Sequence, residues 1–288
     1  MKIVRLSNSV SKKYALFPFF KNERPIESGQ KWGMTLKSSG SMRFRWNEEN
    51  PLRKETLSEI ASLERESSSP RAIASVELIH SKDVLVIENA TDSWKKCADG
   101  IITNNSNLMP VVTVADCVPL YFFDSKNNAF GIVHSGWKGT GIAEKAINLM
   151  KEHFSTSMDN LCVAIGAHIH KCCYIVNQER ANFFMNTFSA NCVSPLKDDK
   201  NRASKINWNY GEGAAFRLSL LEANLFLLSK CGVKDENIVI LDECTCCNTK
   251  FGSNRRQNAN GEPSFTVQAA FVFGDRSANS LHSVHNEP

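Results

Sequence analysis

The chain has no apolar run of the roughly 20 residues that a membrane-crossing helix requires. Its first residues, Met1 to Pro18, carry basic side chains but no uninterrupted apolar core ahead of a small-residue cleavage site. Both absences predict a cytoplasmic protein with no membrane association. The ten cysteines (97, 117, 162, 172, 173, 192, 231, 244, 246 and 247) then read as reduced thiols rather than a disulfide framework, most of them small core residues and a few with metal or catalytic use. An excess of one charge sign is missing too. Lys plus Arg total 34 against 30 for Asp plus Glu, a net charge of +4 spread along the chain. A dedicated nucleic-acid binder would gather its basic residues into a patch, so small anions remain as partners. There is no internal repeat, no Walker sequence and no G-x-G-x-x-G. What is present is ordinary for a globular protein: 42% hydrophobic and 22% charged residues in 288, enough for one large domain or two small ones.

The most informative stretch runs from Val111 to Phe154. Two apolar runs, Val118 to Asp124 and Ala129 to Ser135, flank the polar cluster Ser125-Lys126-Asn127-Asn128, which predicts an antiparallel hairpin closed by a four-residue loop. Counting outward from that loop puts Pro119 opposite His134. Cys117, two residues from Pro119 and on the same face, becomes the diagonal neighbour of His134. Such neighbours are roughly 7–8 Å apart at their backbones, so a thiolate and an imidazole there can share a metal ion or form a hydrogen-bonded pair. Glycines 136, 139 and 141 then lead into a helix with Ile142, Ala146, Ile147, Met150 and Phe154 on one face. Two readings fit the glycines: a tight turn, or an anion site at the helix start beside Lys138.

Upstream, Leu52 to Glu66 reads as a charged helix, after short extended pieces at Lys2 to Leu6, Tyr14 to Phe20 and Met42 to Trp46. Ala72 to His80 and Val84 to Glu88 read as strands joined at Ser81-Lys82-Asp83. His80, at a strand end, is either structural, simply exposed, or the third ligand that Cys117 and His134 lack. Asp99 is a turn-former or a carboxylate presented at the site. Downstream, Leu161 to Ile165, Asn237 to Leu241 and Phe265 to Phe273 read as strands. Gln178 to Phe188 and Gly213 to Lys230 read as amphipathic helices either side of a polar loop at 197–205. His168 and His170 alternate, as metal ligands on one face or as parts of an exposed loop. Cys244 and Cys247 have C-x-x-C spacing, but a structural zinc needs a second pair, and the adjacent Cys172-Cys173 lacks that spacing.

Taken in order, Leu78-Ile79-His80, Ala98-Asp99-Gly100, Ala115-Asp116-Cys117-Val118-Pro119, His134-Ser135-Gly136-Trp137-Lys138-Gly139, the segment Gly166 to Tyr174 and Ser253 to Arg256 carry a resemblance. The set resembles the family long labelled multicopper polyphenol oxidoreductase (laccase) domain. Members of that family are described as zinc-containing purine nucleoside enzymes, with adenosine, inosine and methylthioadenosine phosphorylase and adenosine deaminase activities. The resemblance covers about residues 72 to 274. By position it places the family's metal set on His80, Cys117 and His134, its motif acid on Asp99 and its paired arginines on Arg255 and Arg256. Four positions depart from the family pattern: Ile79 for glutamine, Lys138 for arginine, Ala167 for proline and Ile175 for glutamate. A lysine cannot reproduce the two-pronged grip of a guanidinium on phosphate.

The expected fold is α+β, mixed sheets in layers flanked by helices as α/β/β/α in a single domain. Residues 1–70 would form its weakly matched N-terminal part, 71–274 the metal-dependent catalytic core and 275–288 a disordered tail. The expected cofactor is zinc, ahead of copper, and the expected partners are a purine nucleoside and phosphate. Three protein ligands leave a tetrahedral zinc one open position, and water activated there could displace ammonia from purine C6, with Asp99 or Asp116 moving protons. Phosphorolysis would instead draw on Lys138, Arg255, Arg256 and the helix start after Gly139. The P-C-x-x-C half of the signature of known base deaminases is absent, so deamination would need a different constellation. Three rival readings stand beside this one, the first with the same residues. Cys117 and His134 could form a metal-free thiol hydrolase or deamidase. Copper-dependent phenol oxidation is the second, although only seven histidines occur. The third is a non-enzymatic metal-bound scaffold with the cysteine-rich segment as its interface.

Overall fold

The computed structural model describes residues 1–6, 13–27, 30–64, 69–196 and 214–274. The loop expected at 197–205 and the tail after Gly274 lie outside the described residues. The hairpin forms as its loop length predicts. Val118–Asp124 and Phe130–Ser135 pair antiparallel with Pro119 opposite His134. Asp124 closes the turn: its N–H donates to the Ala129 carbonyl, and its carboxylate accepts the N–H groups of Lys126 and Asn127.

This hairpin is the middle of a seven-stranded sheet among the described residues. The order is Lys2–Val4, Ile238–Leu241, Leu161–Ile165, Val118–Asp124, Phe130–Ser135, Gly100–Thr103 and Val84–Val86. Side chains of Val118–Asp124 divide by the period of two. Val118, Leu120 and Phe122 face the helices Ile142–Phe154, Gln178–Thr187 and Leu220–Lys230, while Tyr121 and Phe123 face a second sheet. That second sheet runs Tyr14–Pro18, Lys31–Thr35, Gln268–Phe273, Leu108–Val114, Ala72–Ser75. Trp32, Met34 and Val112 meet Tyr121 and Phe123 between the sheets, and the Tyr121 hydroxyl donates to the Gly33 carbonyl at 3.0 Å. On the outer face of the second sheet, Leu57 and Ile60 of the helix Pro51–Ala61 pack on Met109 and Phe271. The helix starts where Pro51 follows Asn50, whose side chain accepts the Arg53 N–H. The layers are therefore helices, sheet, sheet, helix: a mixed α/β single domain into which the N-terminal residues are built.

Three expectations need correction. Ala72–Ser75 and Val84–Val86 belong to different sheets, so His80 sits in the crossing between layers, five residues past its strand, with a left-handed φ of 60°. The segment from Met42 to Trp46 enters no sheet; side-chain hydrogen bonds to Glu77 and the Lys96 carbonyl hold it. The helix expected from Gly213 is preceded by a strand, Ala214–Leu218, and begins at Leu220, where Ser219 caps it by accepting the Glu222 N–H.

Candidate active site

His134 lies at the end of its strand and Cys117 immediately before the partner strand. Asp116 turns the chain into Cys117 with a φ of 84°, a conformation Asp tolerates better than most side chains. Its carboxylate is engaged on both oxygens, by the Thr245 hydroxyl at 2.7 Å and the Arg255 N–H at 2.7 Å. Burial nevertheless pushes the Asp116 carboxyl above its usual range.

Asp99 sits just before the strand Gly100–Thr103 and is fully buried. One carboxylate oxygen lies 2.9 Å from His134 Nδ1 and accepts the His80 N–H at 3.0 Å. The other accepts the Ser81 N–H at 2.6 Å and the Ser81 hydroxyl at 2.9 Å. A carboxylate accepts only, so Nδ1 of His134 carries the proton and Nε2 is left for the site. Burial works against the Asp99 charge, but the bonds from His134 and Ser81 outweigh it and hold the carboxyl below its usual range.

The result is a compact donor set. One ligand atom each from His80, Cys117 and His134 lies within 4.8 Å of the others. Gly136 gives them room: a Cβ there would stand 3.1 Å from Cys117 Sγ and 3.5 Å from each imidazole. Two nitrogens and a sulfur are a donor set suited to zinc, with the orienting carboxylate that zinc-bound histidines commonly have. Burial opposes ionisation of Cys117, yet the charge and hydrogen bonds of His134 and His80 bring its thiol down to about 7. Burial likewise opposes charge on His134, but the thiolate and Asp99 raise it to about 10.

These residues form the floor of a cleft of ≈ 630 Å³, whose walls include Arg43, Phe44, Arg45, Trp137, Tyr174, Arg180, Arg255 and Phe265. The Arg180 guanidinium stacks 4.1 Å from the Trp137 ring centre and donates to the Tyr174 hydroxyl at 3.4 Å. Arg45 pairs with Glu77 at 3.2 Å, and Arg43 with Glu48. Arg255 reaches the cleft while donating to the Ile175 carbonyl at 3.2 Å.

Two expected phosphate ligands stand elsewhere. Arg256 is buried, and its guanidinium donates to the carbonyls of Thr245, Cys246, Asn248 and Phe251, so it braces a loop and does not line the cleft. Lys138 is exposed and is not part of the cleft wall, with Nζ over the Trp137 ring 5.4 Å from its centre. At the helix start, the Lys82 side chain fills the space beside Gly141. His168 is fully buried, not in an exposed loop, with Nδ1 2.8 Å from the Gly166 carbonyl, and burial lowers its pKa to about 4. Neither His168 nor His170 joins a ligand cluster among the described residues. Sequence reasoning missed Arg43, Phe44, Arg45 and Arg180. The first three come from a segment without periodicity, and Arg180 from an ordinary helix start. A second cluster, of four cysteines, could also hold a metal ion.

Comparison with known proteins agrees with this architecture. Human purine nucleoside phosphorylase LACC1 is 31% identical over 201 residues, 67% of this chain and 41% of that protein. Purine nucleoside phosphorylase YlmD of Geobacillus stearothermophilus is 30% identical over 161 residues, 55% of this chain and 54% of that protein. Its crystal structure superposes with a TM-score of 0.67 at 22% identity, covering 90% of this chain and 100% of that one. Adenosine deaminase RL5, from an unknown prokaryotic organism, is 30% identical over 172 residues, 58% of this chain and 60% of that protein. In sequence the matches thus span about half the length of these relatives. No helix among the described residues is long and apolar enough to cross a membrane. A model of the family described as "Multi-copper polyphenol oxidoreductase laccase" matches residues 53–268, and the chain belongs to that family.

Proposed function

We propose that this protein is a zinc-dependent purine nucleoside enzyme, in which His80, Cys117 and His134 hold the ion and the cleft above them takes the nucleoside and phosphate. The observation that carries the reading is the meeting of three ligand atoms within 4.8 Å on the floor of an arginine-lined cleft. Zinc held by His80, Cys117 and His134 would supply a Lewis acid to the reaction. The protein's own residues do the rest. Asp99 is a positioning residue: it fixes the His134 ring through Nδ1 and the His80 loop through its backbone N–H. With its oxygens so engaged it orients ligands rather than carrying protons to substrate. Phe44, Trp137, Tyr174 and Phe265 give the cleft aromatic walls against which a purine could pack. Arg255 and Arg180 supply the cationic donors for phosphate, and a guanidinium is suited to binding it in two-pronged fashion. In phosphorolysis the bond from ribose C1′ to the purine nitrogen breaks, one from C1′ to a phosphate oxygen forms, and the purine leaves with a proton.

The named relatives support both phosphorolysis and deamination. The family's multicopper description finds less support in the donors, since the two metal-capable clusters among the described residues contain two histidines between them. A metal-free thiol enzyme is the second reading, because Cys117, His134 and Asp99 also stand in the order nucleophile, base and orienting acid. His80 weighs differently in the two: an ion needs it as a ligand, whereas a thiol nucleophile keeps His134 and Asp99 without it and loses only the smaller of the two imidazole effects on Cys117. The test is metal content with adenosine and inosine turnover, with and without phosphate, in wild type, Cys117→Ala and His80→Ala. Bound zinc and turnover lost in both variants support the proposal. A metal-free wild type, or an active His80→Ala variant, would sink it.

A further inference from the structure

Outside the cleft floor lies a set of four thiols that the reading above does not use. Cys172 and Cys173 sit in the segment after the strand Leu161–Ile165, and Cys244 and Cys247 in the loop after Ile238–Leu241. The adjacency of Cys172 and Cys173 is no obstacle to meeting a C-x-x-C pair, contrary to the expectation from spacing. Cys172 Sγ is 3.7 Å from Cys173 Sγ, 3.8 Å from Cys244 Sγ and 3.7 Å from Cys247 Sγ, and Cys173 Sγ is 3.3 Å from Cys247 Sγ. All four ligand atoms lie within 4.8 Å of one another.

These distances are those of free thiols in hydrogen-bonding contact, and they also suit one shared metal ion. A disulfide brings its sulfurs to about 2.05 Å. A zinc ion with four sulfurs at about 2.3 Å in tetrahedral array sets every sulfur–sulfur edge at roughly 3.8 Å. Of the four separations given above, out of six pairs, three are 3.7 or 3.8 Å and the fourth, Cys173 to Cys247, is shorter at 3.3 Å. The backbone holds the two segments in this relation by itself. His168 and Cys244 form a parallel bridge, the Thr245 N–H donates to the His168 carbonyl at 3.0 Å, and the His170 N–H points at Cys244 Sγ at 3.4 Å. A turn in which the Cys247 N–H donates to the Cys244 carbonyl brings that pair onto one side, and Arg256 clamps the following loop. Cys172 and Cys247 are exposed while Cys173 and Cys244 are buried, so an ion can enter from solvent and finish desolvated on one side.

We infer that Cys172, Cys173, Cys244 and Cys247 form a second metal site, a closed four-thiolate centre for a zinc ion. With all four positions taken by protein it leaves none for water, so its role is structural. It staples the two segments that deliver Tyr174, next to Cys173, and Arg255, eight residues past Cys247, to the cleft wall. The inference is independent of what His80, Cys117 and His134 hold.

The test uses the full chain, purified with zinc and without chelator. Cys172→Ser/Cys247→Ser should lower bound zinc by about one ion per chain, separately from any loss in Cys117→Ala. In Cys117→Ala reconstituted with cobalt(II), the site should give the near-ultraviolet sulfur-to-metal charge-transfer bands and strong visible bands of a tetrahedral thiolate complex. In wild type, alkylation followed by peptide mass spectrometry should find the four cysteines protected until a chelator is added. The last two measurements read the site even where the double serine variant fails to fold. Unprotected thiols in zinc-loaded protein, a disulfide among the four, or cobalt spectra without sulfur charge transfer would overturn the inference. Loss of zinc in the serine variant alone, with none in Cys117→Ala, would uphold this site and count against the cleft-floor proposal instead.

Discussion

Asp99 and His134 are bonded twice, through the His134 N–H to the Asp99 carbonyl at 2.7 Å and through Nδ1 to the carboxylate at 2.9 Å. The first is strand pairing carried one residue beyond its ladder, and the second fixes the ring. Since the same carboxylate accepts the His80 N–H, one buried side chain sets two of the three donors.

Asp99→Asn keeps shape and loses acceptors. It should weaken zinc at the cleft floor by roughly 10–100-fold, the usual effect of removing an orienting partner. Competition with a chromophoric chelator measures it. Affinity equal to wild type would show that the carboxylate does not position the donors.

In metal-free protein the Cys117 thiolate should form as pH rises through about 7, because the His134 and His80 imidazoles draw its pKa down against burial. The thiolate and the His134 imidazolium, raised to about 10, then coexist between those values. For stability the signs are opposite. The depressed thiol contributes above the ordinary thiol pKa and loses that contribution as pH falls through about 7, whereas the raised imidazole contributes below its ordinary value and loses it as pH rises through about 10. Iodoacetamide alkylation of Cys117 against pH should show a midpoint near 7, moving up toward an ordinary thiol in His134→Ala. An unmoved midpoint would refute the pairing.

Arg256 and Lys138 should separate from Arg180 and Arg255. Arg256→Ala leaves several buried carbonyls without donors and should cost about 3 kcal/mol or more in urea unfolding. Lys138→Ala should leave both stability and nucleoside turnover near wild type. Arg180→Ala and Arg255→Ala should raise KM for phosphate with little change in unfolding midpoint. A Lys138→Ala phosphate defect larger than theirs would reverse the assignment.

Tyr121→Phe tests the join between the two sheets. Its fully buried hydroxyl is the donor to the Gly33 carbonyl, so removal should cost about 1–2 kcal/mol without altering metal content. A neutral substitution would mean that the Gly33 carbonyl finds another donor.

What could be read from sequence was local. The four-residue loop at Ser125 to Asn128 fixed the register that places Cys117 beside His134, because strand periodicity converts a loop length into a facing pair. The mixed fold followed from strands and helices that alternate irregularly, with hairpins as well as crossovers. His80 needed the family resemblance: it sits in an irregular crossing at a left-handed φ, held by Asp99 from 19 residues away, and no periodic signal marks such a position. Arg43 and Arg45 were illegible for a like reason, since side-chain bonds to Glu48 and Glu77 hold their segment rather than a ladder. Arg256 misled because a motif arginine looks the same whether it meets phosphate or four backbone carbonyls. The cysteine cluster was missed by treating ligand spacing within one segment as a requirement, when two segments packed side by side supply the pairs.

The most direct test of the central claim is a crystal of the protein examined by anomalous scattering above and below the zinc edge. The account predicts an ion bonded to Cys117 Sγ at about 2.3 Å and to one nitrogen each of His80 and His134 at about 2.0–2.1 Å, on the floor of the cleft. Density there without a zinc edge, with Cys117 bonded only to hydrogen of the neighbouring imidazoles, would contradict it.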